Sequence, residues 1–500
     1  MIDLRNLTDR MQIIAEINND ENKSRKSESL KRFEVYKERQ GRYIEKKLRE
    51  EFSKKTVDEM RKILSINLCK KIIDDMASIY KHEPSRMFTN TDDDQRMQIE
   101  EWYYLSKVNQ QLKKANRYYK LQDQVALQVV PRDKKIQLRV LLPHQYDVIP
   151  NENDPEGIPY AYIISVFDKM EDIRGFEKEI IDGVNQKIAD PDDYKKNAKK
   201  RFEVWTNDLN FIMDGNGQIL SETVENPLGE LPFVDIVSDR DFEYWARRSN
   251  GVVEFSIDFG VLLSDLANII RLQGYAQAIV YASKFPENII VGPNHILFME
   301  QDPNSTLQPR FEFANPSPDL GSSLEFLEMN LKLFLSSKGV DTKALVARGD
   351  VKSYSSGLER LLAMIESFEA SKDDMDLFYQ VEQSVFYFMK RWVEIYRGSD
   401  VIDQMYYSDV VSDDTELEVK FYEPQSIQTK SDLEASIEKR LSLGLITKAD
   451  ALMILDGMTR EMAEEKLLEI NSQKMGVPNG QDNEESDKSD DEEIQQNIQG

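Results

Sequence analysis

Apolar positions recur at three- and four-residue spacing over residues 252–281, where Leu262, Leu266, Ile269 and Ile270 alternate with Asp258, Asp265 and Arg271. That period predicts an amphipathic helix. Gly260 and Gly274 weaken it and Pro286 ends it. Pro293, Pro303, Pro309, Pro316 and Pro318 then separate short β-rich pieces at 288–291 and 310–313, so the chain makes a compact excursion there instead of a helix. A second helix starts near Leu320, carried by Leu324, Leu327, Leu331 and Leu335, and Gly339 closes it. Residues 340–355 set Lys343, Arg348 and Lys352 against Asp341 and Asp350 with little apolar period, which predicts an exposed, slightly basic loop. Ser356 and Glu359 form a capping box, and after Gly357 neither glycine nor proline returns until Gly398. At about 1.5 Å per residue, this predicts a helix of roughly 60 Å. The polar run Ser371-Lys372-Asp373-Asp374 predicts a kink or break within it.

Upstream, residues 1–55 are helical in pieces, with a polar break at 18–29. A cleaner helix opens at Thr56, with Glu59 reaching back, and runs through Met60, Ile63, Leu64, Leu68, Ile72, Met76 and Ile79 until Pro84. A polar linker at 89–95 precedes another helix over 98–121. The period then becomes two. Ile136, Leu138 and Val140 form a half-buried strand, joined to a strand at 125–130 by the turn Pro131-Arg132-Asp133-Lys134. Further strands fall at 160–167 and 202–205, and Asp214-Gly215-Asn216-Gly217 is a hairpin turn between 211–213 and 219–220. Residues 121–237 thus form an antiparallel β-rich region with a charged, helical insertion around 168–198, closed by a turn at 226–229 and a strand at 231–236. Beyond the long helix, alternation at Leu417, Val419 and Phe421 points to a return to the same sheet. Three short helices follow at 431–443, 447–455 and 459–470, with Thr447 as an N-cap. The fold class is α+β.

Five hundred residues leave room for two to four domains. A net charge of -26 argues against a dedicated nucleic-acid binder, which would carry a basic stripe. Part of the acidity is local to 476–500, which has almost nothing to bury and is expected to be disordered. The single cysteine, Cys69, lies among Ile66, Leu68, Ile72 and Ile73; it fits a reducing compartment and a core thiol better than a nucleophile. Neither a signal peptide nor an apolar run of membrane-spanning length occurs, so a soluble protein, intracellular at synthesis, is expected.

The chemistry of an enzyme needs a constellation, and none is present. Glycine-rich phosphate loops of either common type are missing. His82, His144 and His295 stand in unrelated contexts, and one cysteine cannot build a zinc site. Asp92 to Asp94, and Asp190 with Asp192 and Asp193, are polar-segment runs read as solvated loops; Pro155 breaks the faint calcium-loop pattern of Asn151, Asn153 and Asp154. No catalytic residue, metal site or cofactor is expected. Two helices joined by an insertion at one end, and by a loop to a very long helix at the other, do not bury all their amphipathic faces alone, and neighbouring copies can cover them.

This order of elements resembles the portal, or head-tail connector, proteins of tailed double-stranded DNA phages, over roughly residues 30–470. On that resemblance residues 1–55 are an N-terminal helical segment and 56–237 a β-rich wing, containing Pro143-His144-Gln145-Tyr146-Asp147-Val148-Ile149-Pro150. Residues 238–281 hold the first stem helix, 282–319 a small α/β clip and 320–339 the second stem helix. The tunnel loop is 340–355, the long kinked helix 356–397, the wing return strands 398–430, and a small helical crown 431–470, with 471–500 an acidic tail that has no counterpart. The resemblance implies a ring of identical subunits, typically a dodecamer, at one capsid vertex of the virion, assembled in the host cytoplasm. Its implied partners are the terminase large subunit, a head-completion or adaptor protein, the major capsid and scaffolding proteins, and double-stranded DNA passing without sequence preference. Lys343, Arg348 and Lys352 would face the DNA, and Asp258, Asp265 and Arg271 are the channel or stem candidates. The rival expectation is a helical scaffold or adaptor that forms no ring; a metal-dependent nuclease using the 190–193 run is a more distant one.

Overall fold

A computed structural model describes residues 4–52, 57–58, 63–166, 200–246, 249–273, 277–281, 310–314, 320–340, 371–407, 411–422, 430–444, 446–456, 463 and 466–468. It divides into two units, Met1–Pro424 and Gln425–Gly500. In the first unit, side-chain caps start most of the early helices. Asn6 accepts the Thr8 N–H at 3.0 Å to begin α1 (Leu7–Ile17), and Asn19 accepts the Asn22 N–H at 2.8 Å to begin α2 (Asp20–Tyr36). The predicted break at 18–29 therefore shrinks to the Asn18–Asn19 junction. Its remaining polar residues are helical because several turn inward to partners: Lys26 lies 2.6 Å from Asp147, and Ser29 Oγ lies 2.9 Å from His144 Nδ1. After α3 (Gly41–Glu51), Asn67 caps α4 (Leu68–Met76) by accepting the Lys70 N–H. The helix expected from Thr56 through Ile79 is thus interrupted: Val57 and Asp58 are helical, residues 63–67 are coil, and helix resumes only at α4. The Thr56–Glu59 box lies outside the described residues. The helix expected over 98–121 is two, α5 (Asp93–Leu105), capped by Asp92, and α6 (Val108–Gln122). Lys107, at φ +53°, turns the chain between them.

The sheets are antiparallel throughout the described residues, as the alternation implied. Strands β2 (Gln124–Arg132) and β3 (Lys135–Leu141) form a hairpin whose turn places Asp133 and Lys134 at φ +53° and +62°. β9 (Phe233–Val237) joins the other edge of β2. A second sheet runs β4 (Tyr146–Ile149), β5 (Ala161–Val166), β6 (Arg201–Trp205), β7 (Leu209–Asp214) and β8 (Val224–Glu225). Its alternation serves two cores: Tyr162, Ile164 and Trp205 join the main core, whereas Ile163, Phe202, Val204, Phe211 and Met213 pack with Ile13, Ile14 and Ile17 of α1. Both faces are covered, which is why β5 is buried along nearly its whole length. The 214–217 turn forms as expected, with Asp214 accepting the Asn216 and Gln218 N–H groups, but the 219–220 arm is a single bridge to Met213 instead of a strand. The 168–198 insertion lies outside the described residues.

The main core is closed by α9 (Lys372–Ile395), which packs on β2 and β9. Its first residue follows Ser371, where the sequence predicts a break; the preceding part of the long helix, with its Ser356 capping box, lies outside the described residues. Trp392, 1 % exposed, donates its indole N–H to Val129 O at 2.8 Å. The expected return of 401–422 to the wing sheet is corrected. This segment meets the β2–β3 hairpin at the Lys134–Ile402 bridge and through the Tyr406 hydroxyl, which accepts the Ile136 N–H at 3.3 Å, but β12 (Leu417–Lys420) pairs with β1 (Ser85–Phe88) instead. Cys69 is fully buried in α4, and burial pushes its thiol up to about 12, as suits a core residue. In the second unit, α10 (Lys430–Ser442) and α11 (Lys448–Asp456) form, the latter capped by reciprocal Thr447–Asp450 hydrogen bonds. The third helix expected there and the acidic tail fall mostly or wholly outside the described residues.

Candidate functional site

The stretch that the sequence marks as its organising centre is α7 (Val252–Gln273), the pair β10 (Gln277–Tyr281) and β11 (Arg310–Ala314), and α8 (Leu320–Ser337). α7 is shorter than expected, because 277–281 is a strand. Its Gln277–Tyr281 residues, rich in β-branched and aromatic side chains, pair from Gln277↔Ala314 to Tyr281↔Arg310. The strand predicted at 310–313 is β11. The strand predicted at 288–291 lies outside the described residues.

One face of α7 is built for close approach. Ser256, Gly260 and Ser264 recur every fourth residue and meet α3 and the segment entering α4. The Cys69 N–H donates to Ser256 Oγ at 3.3 Å, and the Leu64 N–H donates to Ser264 Oγ at 2.9 Å. A Cβ on Gly260 would lie 2.5 Å from Ile44 Cδ1, so the glycine that weakens the helix on paper is what lets it pack. Asp258 forms an ion pair with Lys47 of α3, which makes it an anchor of α7. Asp265 is half-buried, Arg271 lies on the backbone of α7, and Lys343, Arg348 and Lys352 lie outside the described residues.

α8 has two apolar faces. Leu327, Leu331, Phe334 and Leu335 turn inward, with Phe334 stacked on Phe255 at a centroid distance of 3.9 Å. Phe326, Met329 and Leu333, at i, i+3 and i+7, are 58 %, 60 % and 59 % exposed. Gly339, at φ +63°, ends the helix as expected, and Val340 is buried beyond it.

Charged residues tie these helices to the body. Lys120 of α6 pairs with Asp374 in the first turn of α9 at 2.7 Å, and its carbonyl accepts from Asn250 just before α7. Asp123, the left-handed C-cap of α6, faces Arg32, Lys120 and Lys338. Burial nonetheless pushes its carboxyl up to about 6. A carboxyl raised above its unfolded value favours the folded state at low pH, and this contribution is lost as pH rises through about 6. Asp123→Asn is therefore expected to melt above wild type at about pH 7.5, with the difference shrinking below about pH 6 and closing only near pH 4, the ordinary carboxyl range. Thermal melts of both proteins across that range check it. An asparagine variant that melts lower at every pH would mean that the Arg32 pair outweighs burial.

The described residues contain no helix long and apolar enough to cross a membrane, and no group of three or more His, Cys, Asp or Glu side chains in a metal-binding arrangement. No family model and no curated protein matches the chain. Solved structures do. A chain in the virion of a native gene transfer agent (GTA) particle is 11 % identical with a TM-score of 0.37, covering 78 % of this chain and 88 % of that one. A chain in the neck of an empty GTA particle, computed with C6 symmetry, is 12 % identical with a TM-score of 0.39, over 78 % and 88 %. A chain in the neck of a native GTA particle, computed with C12 symmetry, is 12 % identical with a TM-score of 0.40, over 81 % and 93 %.

Proposed function

We propose that this chain is a portal-type connector subunit, a structural and non-catalytic protein that closes into a ring at one vertex of a capsid. DNA would pass through the ring during packaging and ejection, and terminase and head-completion proteins would dock on it. The observation that carries this reading is the helix, strand pair and helix of α7, β10–β11 and α8, with a second apolar stripe on α8 left exposed at Phe326, Met329 and Leu333. A ring built head to tail covers such a stripe on every subunit without leaving a free end. An acidic wall also suits a conduit that must not hold DNA, since it repels phosphates at short range.

Native mass spectrometry with negative-stain imaging tests the reading. Rings of about a dozen chains with a central hole are expected. A monomer or dimer at every concentration, even beside capsid and scaffolding proteins, would favour an adaptor that forms no ring. Within the portal reading, Lys343, Arg348 and Lys352 supply the few cations that touch the duplex without sequence preference. Changing all three to alanine is expected to leave rings intact and to reduce the DNA packaged or retained. Unchanged packaging would remove that role.

A further inference from the structure

The loop between β9 and α7 holds an aromatic side chain out in solvent at a conformational cost. Phe242 is 88 % exposed and sits at φ +61°, a backbone region that bulky residues rarely adopt. It is fixed there from several sides. The Phe242 N–H donates to Glu156 Oε1 at 2.6 Å, and Arg240 donates to the Glu156 carbonyl and, at 2.7 Å, to Asp235 Oδ2. The Tyr244 hydroxyl donates to Asp235 Oδ1 at 2.7 Å, so both flanks of Phe242 are tied to β9. The Ala246 N–H donates to Gln124 Oε1 at 2.8 Å and closes the loop onto the start of β2. A strained residue over-determined in this way is one whose side chain is presented.

Beside Phe242 lies a cavity of about 620 Å³, bounded by this loop, the α1–α2 junction and the connection from β3 to β4. Phe242, Tyr244 and Trp245 form its aromatic wall. Two of these rings already carry a guanidinium: Arg240 lies 4.3 Å from the Tyr244 centroid, and Arg25 lies 3.7 Å from that of Trp245. Among the described residues no cation lies over Phe242, the most exposed ring of the three. The charge of the cavity is negative. Glu16, Glu21, Glu28 and Glu243 line it against Arg25 and Arg32, and both guanidiniums are engaged by carboxylates outside the lining, Arg25 by Asp147 and Arg32 by Asp123.

We propose that this cavity and Phe242 dock a basic segment of a partner protein, through an arginine side chain that stacks on the Phe242 ring and turns its N–H groups to the cavity carboxylates. A planar guanidinium satisfies the open ring and the unbalanced carboxylates together, which a compact ammonium does less well. A second copy is the poorer match, because a chain of net charge -26 brings mostly further carboxylates to the rim. The surface is separate from the exposed stripe of α8 and does not rest on the ring reading.

The test is calorimetric titration of the full chain with a short acetylated and amidated peptide containing Leu-Arg-Leu-Arg, beside a control in which glutamine replaces each arginine. The arginine peptide is expected to bind saturably, and the control about tenfold more weakly. Phe242→Gly relieves the positive φ, so it is expected to melt at or above wild type while its affinity for the arginine peptide falls about fivefold or more. A lower melting temperature with unchanged affinity would give Phe242 a structural role only and overturn the proposal. Glu16→Gln with Glu243→Gln changes two exposed carboxylates and leaves Phe242 in place. This variant is expected to weaken binding about threefold at about 50 mM salt, with the difference closing near 0.5 M. Equal affinity of this variant and wild type at low salt overturns the proposal, as does equal binding of the two peptides or the lack of saturable binding by either. Self-association that disappears in Phe242→Gly, without peptide binding, assigns the face to a second copy and overturns it too.

Discussion

Replacing Glu382 with glutamine is expected to lower the unfolding free energy by about 3–5 kcal/mol. Glu382 lies in the middle of α9 with no exposed surface, and Arg86 of β1 reaches it with two hydrogen bonds, Nε to Oε2 at 2.9 Å and Nη2 to Oε1 at 2.6 Å. The Tyr80 hydroxyl donates to Oε1 at 3.0 Å, and the Arg86 guanidinium sits over the Tyr103 ring at 4.8 Å. Burial alone would lower the Arg86 pKa, but the Glu382 hydrogen bonds and charge more than offset it, and the net shift is upward. Burial also pushes the Tyr80 and Tyr103 hydroxyls well above their usual value, so neither can supply a compensating negative charge. Glutamine keeps the shape and removes the charge, which leaves the guanidinium buried against a neutral amide. The loss is a large part of the roughly 5–15 kcal/mol that holds a typical domain folded. Denaturant unfolding of Glu382→Gln measures it, and a loss under about 1 kcal/mol would mean that water reaches Arg86. Replacing both partners, Arg86→Met with Glu382→Leu, is expected to recover most of the stability, because no unpaired charge remains.

That pair also shows what the sequence could and could not carry. Phe378, Val381, Val385, Phe386 and Met389 mark the buried face of α9 by spacing alone, and Glu382 interrupts this face without any local sign of its partner. Arg86 lies 296 residues away in a four-residue strand. The pairing of β1 with β12 was hidden for the same reason, since alternation at Leu417 and Val419 identifies a strand but not its neighbour. Helix boundaries failed where the deciding interaction is tertiary. No glycine or proline marks the break at Lys107, and the polar run that forms most of α2 is helical through buried contacts of Lys26 and Ser29 with residues more than a hundred positions away. By contrast, the antiparallel hairpin of β2 and β3, the end of α8 at Gly339 and the start of α9 near Ser371 were legible, because a turn, a left-handed glycine and a polar run are local signals.

The organising stretch was legible in outline and less so in role. Its two helices and β11 are where the periodicity places them, whereas β10 was taken for helix because five residues of mixed apolar and small side chains satisfy either period. Asp258 was singled out for its place on α7, and its contact with Lys47 could not be read from spacing.

Phe326→Glu combined with Met329→Glu is expected to abolish ring assembly while leaving the subunit folded. The two side chains lie on the face of α8 opposite Leu327 and Leu335 and are more than half exposed, so the substitutions remove little from the subunit's own core, and the melting temperature should change little. In the proposed ring the same positions would face a neighbour. Burying each apolar side chain there contributes on the order of 1.5–3 kcal/mol per contact, and two carboxylates without partners reverse the sign of the interaction. Because a heterologous contact repeats at every subunit boundary, the defect is multiplied around the ring and closure fails altogether instead of weakening. Native mass spectrometry should then record monomers with wild-type circular dichroism, and Phe326→Leu should still give rings. Rings undiminished in the double variant would show that the exposed stripe of α8 lies away from the subunit boundary, and the helices would have to meet their neighbours through another face.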